Sequence, residues 1–378
     1  MEIAIVGAGA SGLFLAQILS RRSDYKITIF ERNKKIGSKL KASGNGKCNF
    51  ANYKAMPTDY NNKEFISSLF EKVKKEDLLN YLNDLGFLFK FDDEGRMYPI
   101  TDSSESFLNL LTSDFKNVDI KLETIVNSIE KKNNKYLVNG IPFDKVVLAT
   151  GSNASIKKEY WASTYSYLDN LNLKMNKCRP SLVGYILKNN VKLLSGFRSK
   201  ADVKLYSNSK LVFSEFGEVI FKDDGISGIV IMNSSHYYDE SDSYLVLNLF
   251  PNVDRKKFEL AINKRLKTSN DLEYVLTGLV HPTLIKYLKN QKLNIDKIVD
   301  YLYEMKLSIK STYSLEYAQV SKGGVDVSEL NPNFSLKKDP NIYLMGEMID
   351  INGVCGGFNL MYAFMSAMVV GKDLTKWN

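Results

Sequence analysis

The chain predicts a mixed α/β fold in two parts, and three observations carry that reading. First, a short β-branched run, Ile3-Ala4-Ile5-Val6, leads into Gly7-Ala8-Gly9-Ala10-Ser11-Gly12-Leu13 and a helical stretch. That is the strand, turn and helix order of a Rossmann unit. Second, short strands separated by Gly, Asn and Asp follow Pro180, the pattern of a small antiparallel barrel or sheet. Third, the apolar spacing turns helical from Arg255 to Met305, as in Phe258-Ile262-Leu266 and Ile295-Ile298-Val299-Leu302. The expected parts are 1–179, a first dinucleotide-binding portion; 180–252, a barrel-like insert; 253–310, a helical subdomain of that insert; and 311–378, the return.

Within the first part, Gly7, Gly9 and Gly12 give the G-x-G-x-x-G spacing. Gly7 permits the tight turn, Gly9 lets backbone approach a pyrophosphate, and Gly12 lets helix and strand pack. The helix N-terminus aims N–H groups and partial positive charge at phosphates. The second strand, Lys26 to Phe30, ends at Glu31, nineteen residues past Gly12. A carboxylate there can accept hydrogen bonds from both hydroxyls of an adenosine ribose and disfavours a 2′-phosphate, so the site suits FAD or NAD but not NADP.

Residues 63–89 place apolar groups at helical spacing (Phe65-Leu69-Phe70-Val73, Leu78-Leu82-Leu85), and Ser103 to Phe115 reads as a further helix. Val118–Ile129, Lys135–Val138 and Lys145–Ala149 read as strands, with a hairpin turn at Asn133-Asn134. The last leads into Ala149-Thr150-Gly151, an element familiar beside the adenosine of FAD in two-dinucleotide flavoproteins. In the insert, strands are expected at Val183–Leu187, Ala201–Tyr206, Lys210–Phe213, Glu218–Phe221, Gly228–Met232 and Tyr244–Leu249.

Composition narrows the class. The 378 residues are 44% hydrophobic and 25% charged, ordinary for a globular protein. No apolar run approaches the roughly 18 residues of a membrane span. With a strand read from residue 2, no signal peptide is expected. Three widely spaced cysteines, Cys48, Cys178 and Cys355, suit a reducing compartment, so the cytoplasm is expected. No Cys/His cluster has metal-ligand spacing, so no metal is expected. Of the net charge of +8, a net +5 falls between Val253 and Lys310, which holds twelve basic residues, Lys286, Lys289 and Lys292 among them, and seven acids. Such a segment is either a solvated helical face or a footprint for phosphate backbones.

Four further segments identify a family. They are Gly37-Ser38-Lys39-Leu40-Lys41-Ala42-Ser43-Gly44-Asn45-Gly46-Lys47-Cys48-Asn49-Phe50; Gly217-Glu218-Val219-Ile220-Phe221 with Gly225-Ile226-Ser227-Gly228; Ala318-Gln319-Val320-Ser321-Lys322-Gly323-Gly324-Val325; and Gly346-Glu347-Met348-Ile349-Asp350 with Gly353-Val354-Cys355-Gly356-Gly357-Phe358-Asn359-Leu360. Together with the N-terminal turn, and over nearly the whole chain, they resemble the BaiN/YhiN-like flavoproteins, also called the aminoacetone oxidase family of FAD-binding enzymes. The resemblance implies a glutathione-reductase-like FAD-binding Rossmann domain, split in sequence by an antiparallel β-barrel and helical subdomain. It implies an FAD-dependent oxidoreductase. Substrates proposed within that family include steroid-like enones, aminoacetone, and uridine in ribosomal RNA, reduced to dihydrouridine.

The expected FAD-lining residues are Gly7, Gly9, Ala10, Ser11, Gly12, Glu31, Arg32, Lys39, Ser43, Gly44, Asn45, Gly46, Cys48, Asn49, Ala149, Thr150, Gly151, Gly346, Glu347, Asp350, Gly356, Gly357, Phe358 and Asn359. Ser43 to Gly46 offers backbone N–H groups to a phosphate or the isoalloxazine edge. The helix after Gly356-Gly357 can face the flavin pyrimidine ring, where negative charge develops on reduction. Glu347 or Asp350 can bond the ribityl chain. Cys355 and Cys48 are the candidates for proton chemistry, set against buried structural thiols. NADH or NADPH is the expected transient donor, with no second G-x-G-x-x-G to hold it.

The chain departs from the family pattern at Ser38 and Lys47, where arginines are usual, at Lys222-Asp223 in place of Thr-His, at Ile229 in place of a proline, and in a shortened stretch after Gly151. Three functions follow as expectations: reduction of a polarised C=C bond by reduced nicotinamide, with uracil of ribosomal RNA favoured; a small-molecule oxidase or enone reductase; and a non-catalytic, FAD-containing RNA- or ribosome-binding protein.

Overall fold

A computed structural model of the chain describes residues 1–161, 165–291 and 293–376. Lys292, counted in the basic segment, lies outside them. The chain divides into two compact units, Met1–Arg179 with Val320–Asn378, and Pro180–Gln319.

The first unit is built on a five-stranded parallel sheet in the order Ile342–Leu344, Lys145–Leu148, Glu2–Val6, Lys26–Phe30, Val118–Lys121. All but the last strand are buried almost throughout. They therefore read as continuous apolar runs with no alternation, as strands covered on both faces do. Two helices complete this core. Ala10–Ser20 buries ten of its eleven residues, so it has no wet face. Phe358–Thr375 lies against it, with Phe14 and Phe364 ring centroids 4.9 Å apart. Gly371 makes that approach possible, since a Cβ there would stand 2.8 Å from Ile18 Cγ2. A three-stranded antiparallel sheet, Ile129–Lys132, Lys135–Val138 and Ile141–Phe143, turns at Asn133-Asn134 and at Asn139-Gly140. All four turn residues have positive φ, as type I′ turns require.

The second unit is a closed six-stranded antiparallel barrel, with the strand order Tyr185–Leu187, Gly225–Ser227, Lys210–Phe221, Arg198–Ser207, Ser243–Asn248, Met305–Thr312. Closure leaves no edge strand to aggregate. Ala201, Val203, Leu205, Leu245, Leu247 and Leu307 are fully buried in its core. Helices Arg255–Leu266, Leu272–Leu276, Pro282–Asn290 and Ile295–Tyr303 lie between its last two strands in sequence.

Several sequence expectations are corrected. Residues 63–89 hold two helices, Lys63–Lys72 and Lys75–Asp84, because Val73 and Lys74 are extended and the Asp77 carboxylate accepts the Lys74 N–H at 2.9 Å. The strand expected over Val118–Ile129 ends at Lys121. Lys210–Phe213 and Glu218–Phe221 are one strand. Gly217 within it is no turn; a Cβ there would press to 2.8 Å from Val230. Gly228–Met232 is not a strand, since helix Ile229–Ser235 begins after Gly228 (φ +113) and buries Val230 and Ile231 in the barrel core. Met305–Thr312 runs through the 310/311 boundary, and the second unit continues to Gln319.

Where the chain enters and leaves this unit, strands Met175–Ser181 and Val320–Val325 pair with each other. The Gln319 N–H donates to the Leu182 carbonyl at 3.3 Å, and Tyr313 N–H to Gly184 at 3.1 Å.

Candidate functional site

In the first unit the glycine turn separates two kinds of glycine. Gly7 has φ +109, and a Cβ on it would stand 2.5 Å from the Ala149 carbonyl oxygen. A Cβ on Gly12 would stand 2.0 Å from the Gly7 carbonyl oxygen. Both are glycine because the strand end and the helix leave no room. Gly9 is different. Its φ is −84, and the nearest atom to its added Cβ is 3.9 Å away. Neither conformation nor protein packing requires glycine at 9. The helix it caps carries no side-chain cap and no acid in its first turn. Its leading N–H groups and positive dipole end therefore meet no carboxylate from the helix's own first turn.

Glu31 is buried at the end of the second strand. Its Oε2 accepts the Ala8 N–H at 2.9 Å, and its Oε1 accepts the Asn33 backbone and side-chain amides at 2.8 and 2.6 Å. Three of about four acceptor positions are thus used. The carboxylate also ties down the glycine turn, which leaves one acceptor position where the sequence suggests two for a ribose. Next to it, Arg32 Nη1 donates to the Tyr160 carbonyl at 3.2 Å, and Thr150 Oγ1 bonds the Tyr167 hydroxyl at 2.8 Å. Gly151 takes φ +72 with open space around it.

Glu347 is the hub of the site. One oxygen accepts Lys39 Nζ at 2.7 Å; the other accepts Ser152 Oγ at 2.7 Å and the Ser321 N–H at 3.1 Å. Four separate segments meet on one carboxylate. Lys39 is too exposed for the ion pair to contribute much stability; its effect is to fix the carboxylate's direction. Gly346 (φ +67) sits against Ser11, whose Oγ would be 2.7 Å from a Cβ at 346. Asn153 Oδ1 and Ser321 Oγ, at or beside two of the donors to Glu347, and both polar side-chain atoms of the fully buried Asn352 have no hydrogen-bond partner among the described residues. A buried polar group left so is costly, and such groups mark places where a ligand or ordered water completes the bonding.

Two expected cofactor residues are loop clamps. Asn49 lies between the Ala51 and Met97 carbonyls and the Gly357 N–H; its NH₂ serves the two carbonyls and its oxygen serves Gly357. Asn359 holds the Gly353 N–H at 2.9 Å and donates to the Gly353 and Val354 carbonyls. Asp350 accepts from Gly323 N–H, Asn61 and Asn176 at 2.9 to 3.1 Å. Phe358 packs on Tyr60, whose hydroxyl donates to the Phe358 carbonyl at 2.9 Å. Together these bonds fix the loop before the final helix, where Gly357 (φ +98) would put a Cβ 2.3 Å from the Ala51 carbonyl oxygen.

Ser43 bonds the Leu40 carbonyl at 2.7 Å, and Gly44, Asn45 and Gly46 all have positive φ, between 54° and 84°. This is a run of backbone that bares N–H groups. Cys48, at the end of that loop, is fully buried in the core, and burial pushes its thiol up to about 12. That corrects its candidacy for proton chemistry: a thiol without water or a cation stays protonated and inert. Cys355 is half-buried in the glycine loop, close enough to Tyr98 for their charges to interact. Arg96, whose Cγ and Cδ would lie 3.7 Å from a Cβ at 356, bonds Asp92 at 2.8 Å and pairs with Glu94 at 3.0 Å.

Sequence reasoning missed Ser152, Ser321, Asn352, Tyr98 and Arg96. Only Ser321 lies in a motif it singled out. The others become visible only when the fold joins distant segments. Among the described residues, no group of three or more His, Cys, Asp or Glu is placed to hold a metal. Among the described residues no helix is long and apolar enough to cross a membrane.

Comparison with known proteins agrees with this architecture. The chain is similar to a 3-dehydro-bile acid delta(4,6)-reductase of Clostridium scindens, 26% identical over 98% of both chains. It is similar to a ribosomal RNA dihydrouridine synthase of Escherichia coli, 26% identical over 98% of this chain and 97% of that one. It is also similar to one of Haemophilus influenzae, 24% identical over 99% and 98%. The family description HI0933-like protein Rossmann domain matches residues 1–373. With a parallel sheet, an open glycine turn and a match over nearly its full length, the chain belongs to the HI0933-like Rossmann family of BaiN/YhiN-type flavoprotein oxidoreductases.

Proposed function

We propose that the protein is an FAD-dependent reductase that uses NADH or NADPH to saturate a polarised C=C bond, and that uracil in ribosomal RNA is the group reduced. The observation that carries the cofactor is Gly9, a glycine with no conformational or packing reason, at an uncapped and acid-free helix start. The unpartnered buried atoms of Asn153, Ser321 and Asn352 support the same reading. Gly7, Gly9, Ala10, Ser11 and Gly12 would hold the pyrophosphate, Glu31 the ribose, Glu347 with Ser152 and Ser321 the ribityl side, and the 43–46 and 353–357 loops the ring. FAD held there would supply the hydride chemistry, from reduced nicotinamide to one carbon of the double bond.

The protein supplies the rest. Asn49, Asn359 and Asp350 keep the two loops rigid, so the reacting groups meet without reorganisation. The proton for the second carbon comes, on this reading, from the Cys355 Sγ, one residue before the glycine pair. The substrate choice draws on the two relatives named as dihydrouridine synthases. The equally similar bile-acid reductase favours a second reading, a small enone.

The purified protein is expected to show flavin absorption that bleaches anaerobically with NADH or NADPH. Cys355→Ser is expected to keep that bleaching and to slow reoxidation by substrate about 10²-fold. Ribosomal RNA from a deletion strain is expected to lose dihydrouridine. Full dihydrouridine content would transfer the assignment to the small enone, and flavin that stays oxidised would remove the reductase reading altogether.

A further inference from the structure

The second unit carries a feature that the flavin chemistry does not use. The ring of His281, at the start of helix Pro282–Asn290, stands between two hollows. One, of about 240 Å³, is floored by Phe197, Phe250 and Leu284 and edged by Arg198. The other, of about 1280 Å³, runs between the helix and residues 277–280 and has Lys286 and Lys289 on its lip. His281 and Phe197 approach at 5.1 Å between ring centroids, and His281 is exposed. Arg198, Lys286 and Lys289 are also exposed; among the described residues lining the hollows the one acid is Glu273, paired with Lys289 at 2.7 Å, and Arg198 stands 3.9 Å from Glu218. The His281 Nδ1 accepts the Thr283 N–H at 3.2 Å, which fixes the ring's orientation as the helix cap.

The chemistry of such a surface is definite. A flat ring held at a helix start offers a stacking face, and apolar hollows beside it accept a planar, unpaired base. Cations on the lips meet the phosphates that connect successive bases. Rings for bases and a basic track for the backbone are the two parts of a single-strand binding groove. A duplex hides its base faces and cannot use the hollows. We infer that the His281 groove is a docking surface for single-stranded RNA, with a base stacked at His281–Phe197 and phosphates on Arg198, Lys286 and Lys289. The inference rests on the RNA reading of the substrate and adds where that strand is gripped.

The test uses the whole flavoprotein and a fluorescein-labelled oligouridylate of twelve nucleotides, read by anisotropy. The expected result is single-strand binding that a duplex of equal length does not match. His281→Ala is expected to weaken it about tenfold, the loss of one stacked base. Lys286→Ala with Lys289→Ala is expected to lower the salt dependence, log K against log salt, by about 1.4. Lys256→Ala with Lys257→Ala, on another helix, is the control and is expected to change neither stacking nor the groove. Flavin bleaching by NADH or NADPH should be the same in all variants. Equal binding by wild type and both groove variants, or a preference for duplex, would overturn the groove. Loss of RNA binding in wild type with bleaching intact would overturn groove and RNA substrate together while leaving the reductase standing. A protein whose flavin does not bleach, yet which binds RNA through His281, would sink the reductase and keep the groove.

Discussion

The two units solve the same packing problem differently. The barrel of the second unit closes on its own strands around an apolar core. The parallel-sheet unit is built differently. Its core is as well filled, but its loops end in an uncapped helix start, a glycine without a packing reason and buried polar atoms without partners. A scaffold that needs nothing more hides its polar groups or pairs them; one that holds a ligand leaves bonds for the ligand to complete. These open bonds in the first unit are what the proposed cofactor would complete.

The glycine turn offers the sharpest break in this comparison. Gly12→Ala is expected to destabilise the fold by about 3 kcal/mol or more, because its methyl would collide with the rigid Gly7 carbonyl. Gly9→Ala, one turn away, is expected to leave the unfolding of flavin-free protein within about 0.5 kcal/mol of wild type while weakening FAD at least about tenfold. Urea unfolding of stripped protein and a flavin titration measure the two. If Gly9→Ala unfolds the stripped protein as Gly12→Ala does, Gly9 is a packing glycine and the contrast collapses. A smaller effect is expected at the hub. Glu347→Gln keeps the shape but loses the charge that directs Lys39, Ser152 and Ser321, so flavin affinity should fall about fivefold to tenfold with little change in stability.

The smallest effect is electrostatic and lies away from the ligand. The Asp326 carboxyl is held well below its usual range by its bond to the Lys174 ammonium, 2.9 Å away, and by the Ser328 N–H. A depressed folded value means stability present above the unfolded value near about 3.9 and lost as pH falls through the folded one. Because Lys174 is largely exposed, Asp326→Asn is expected to cost about 1 kcal/mol at neutral pH after screening, with the gap closing below about pH 4. A gap that stays constant to pH 2 would mean that Asp326 acts through shape alone.

What was legible in the sequence follows the same division. The Gly7, Gly9, Gly12 turn and the Asn133-Asn134 hairpin are written locally, because a positive φ or a close approach is a demand on one residue. The Ile229–Ser235 helix was not: its Ile-Val-Ile run favours a strand, and only its place in the barrel core decides otherwise. Cys48 misled for a related reason. A thiol in a glycine loop has the same neighbours in sequence whether it faces a ligand or the core. Asn49, Asn359 and Asp350 were marked as important, but their partners lie on other segments, so their work as clamps was invisible before those segments met.

Entry to and exit from the barrel are hydrogen-bonded side by side, at Leu182 with Gln319 and along the paired strands that flank them. An insert whose two ends are tied to each other by backbone hydrogen bonds can be enlarged, shortened or exchanged while the register of the parallel sheet stays as it is. On the proposed function, the insert and the cofactor fold can then change separately in evolution.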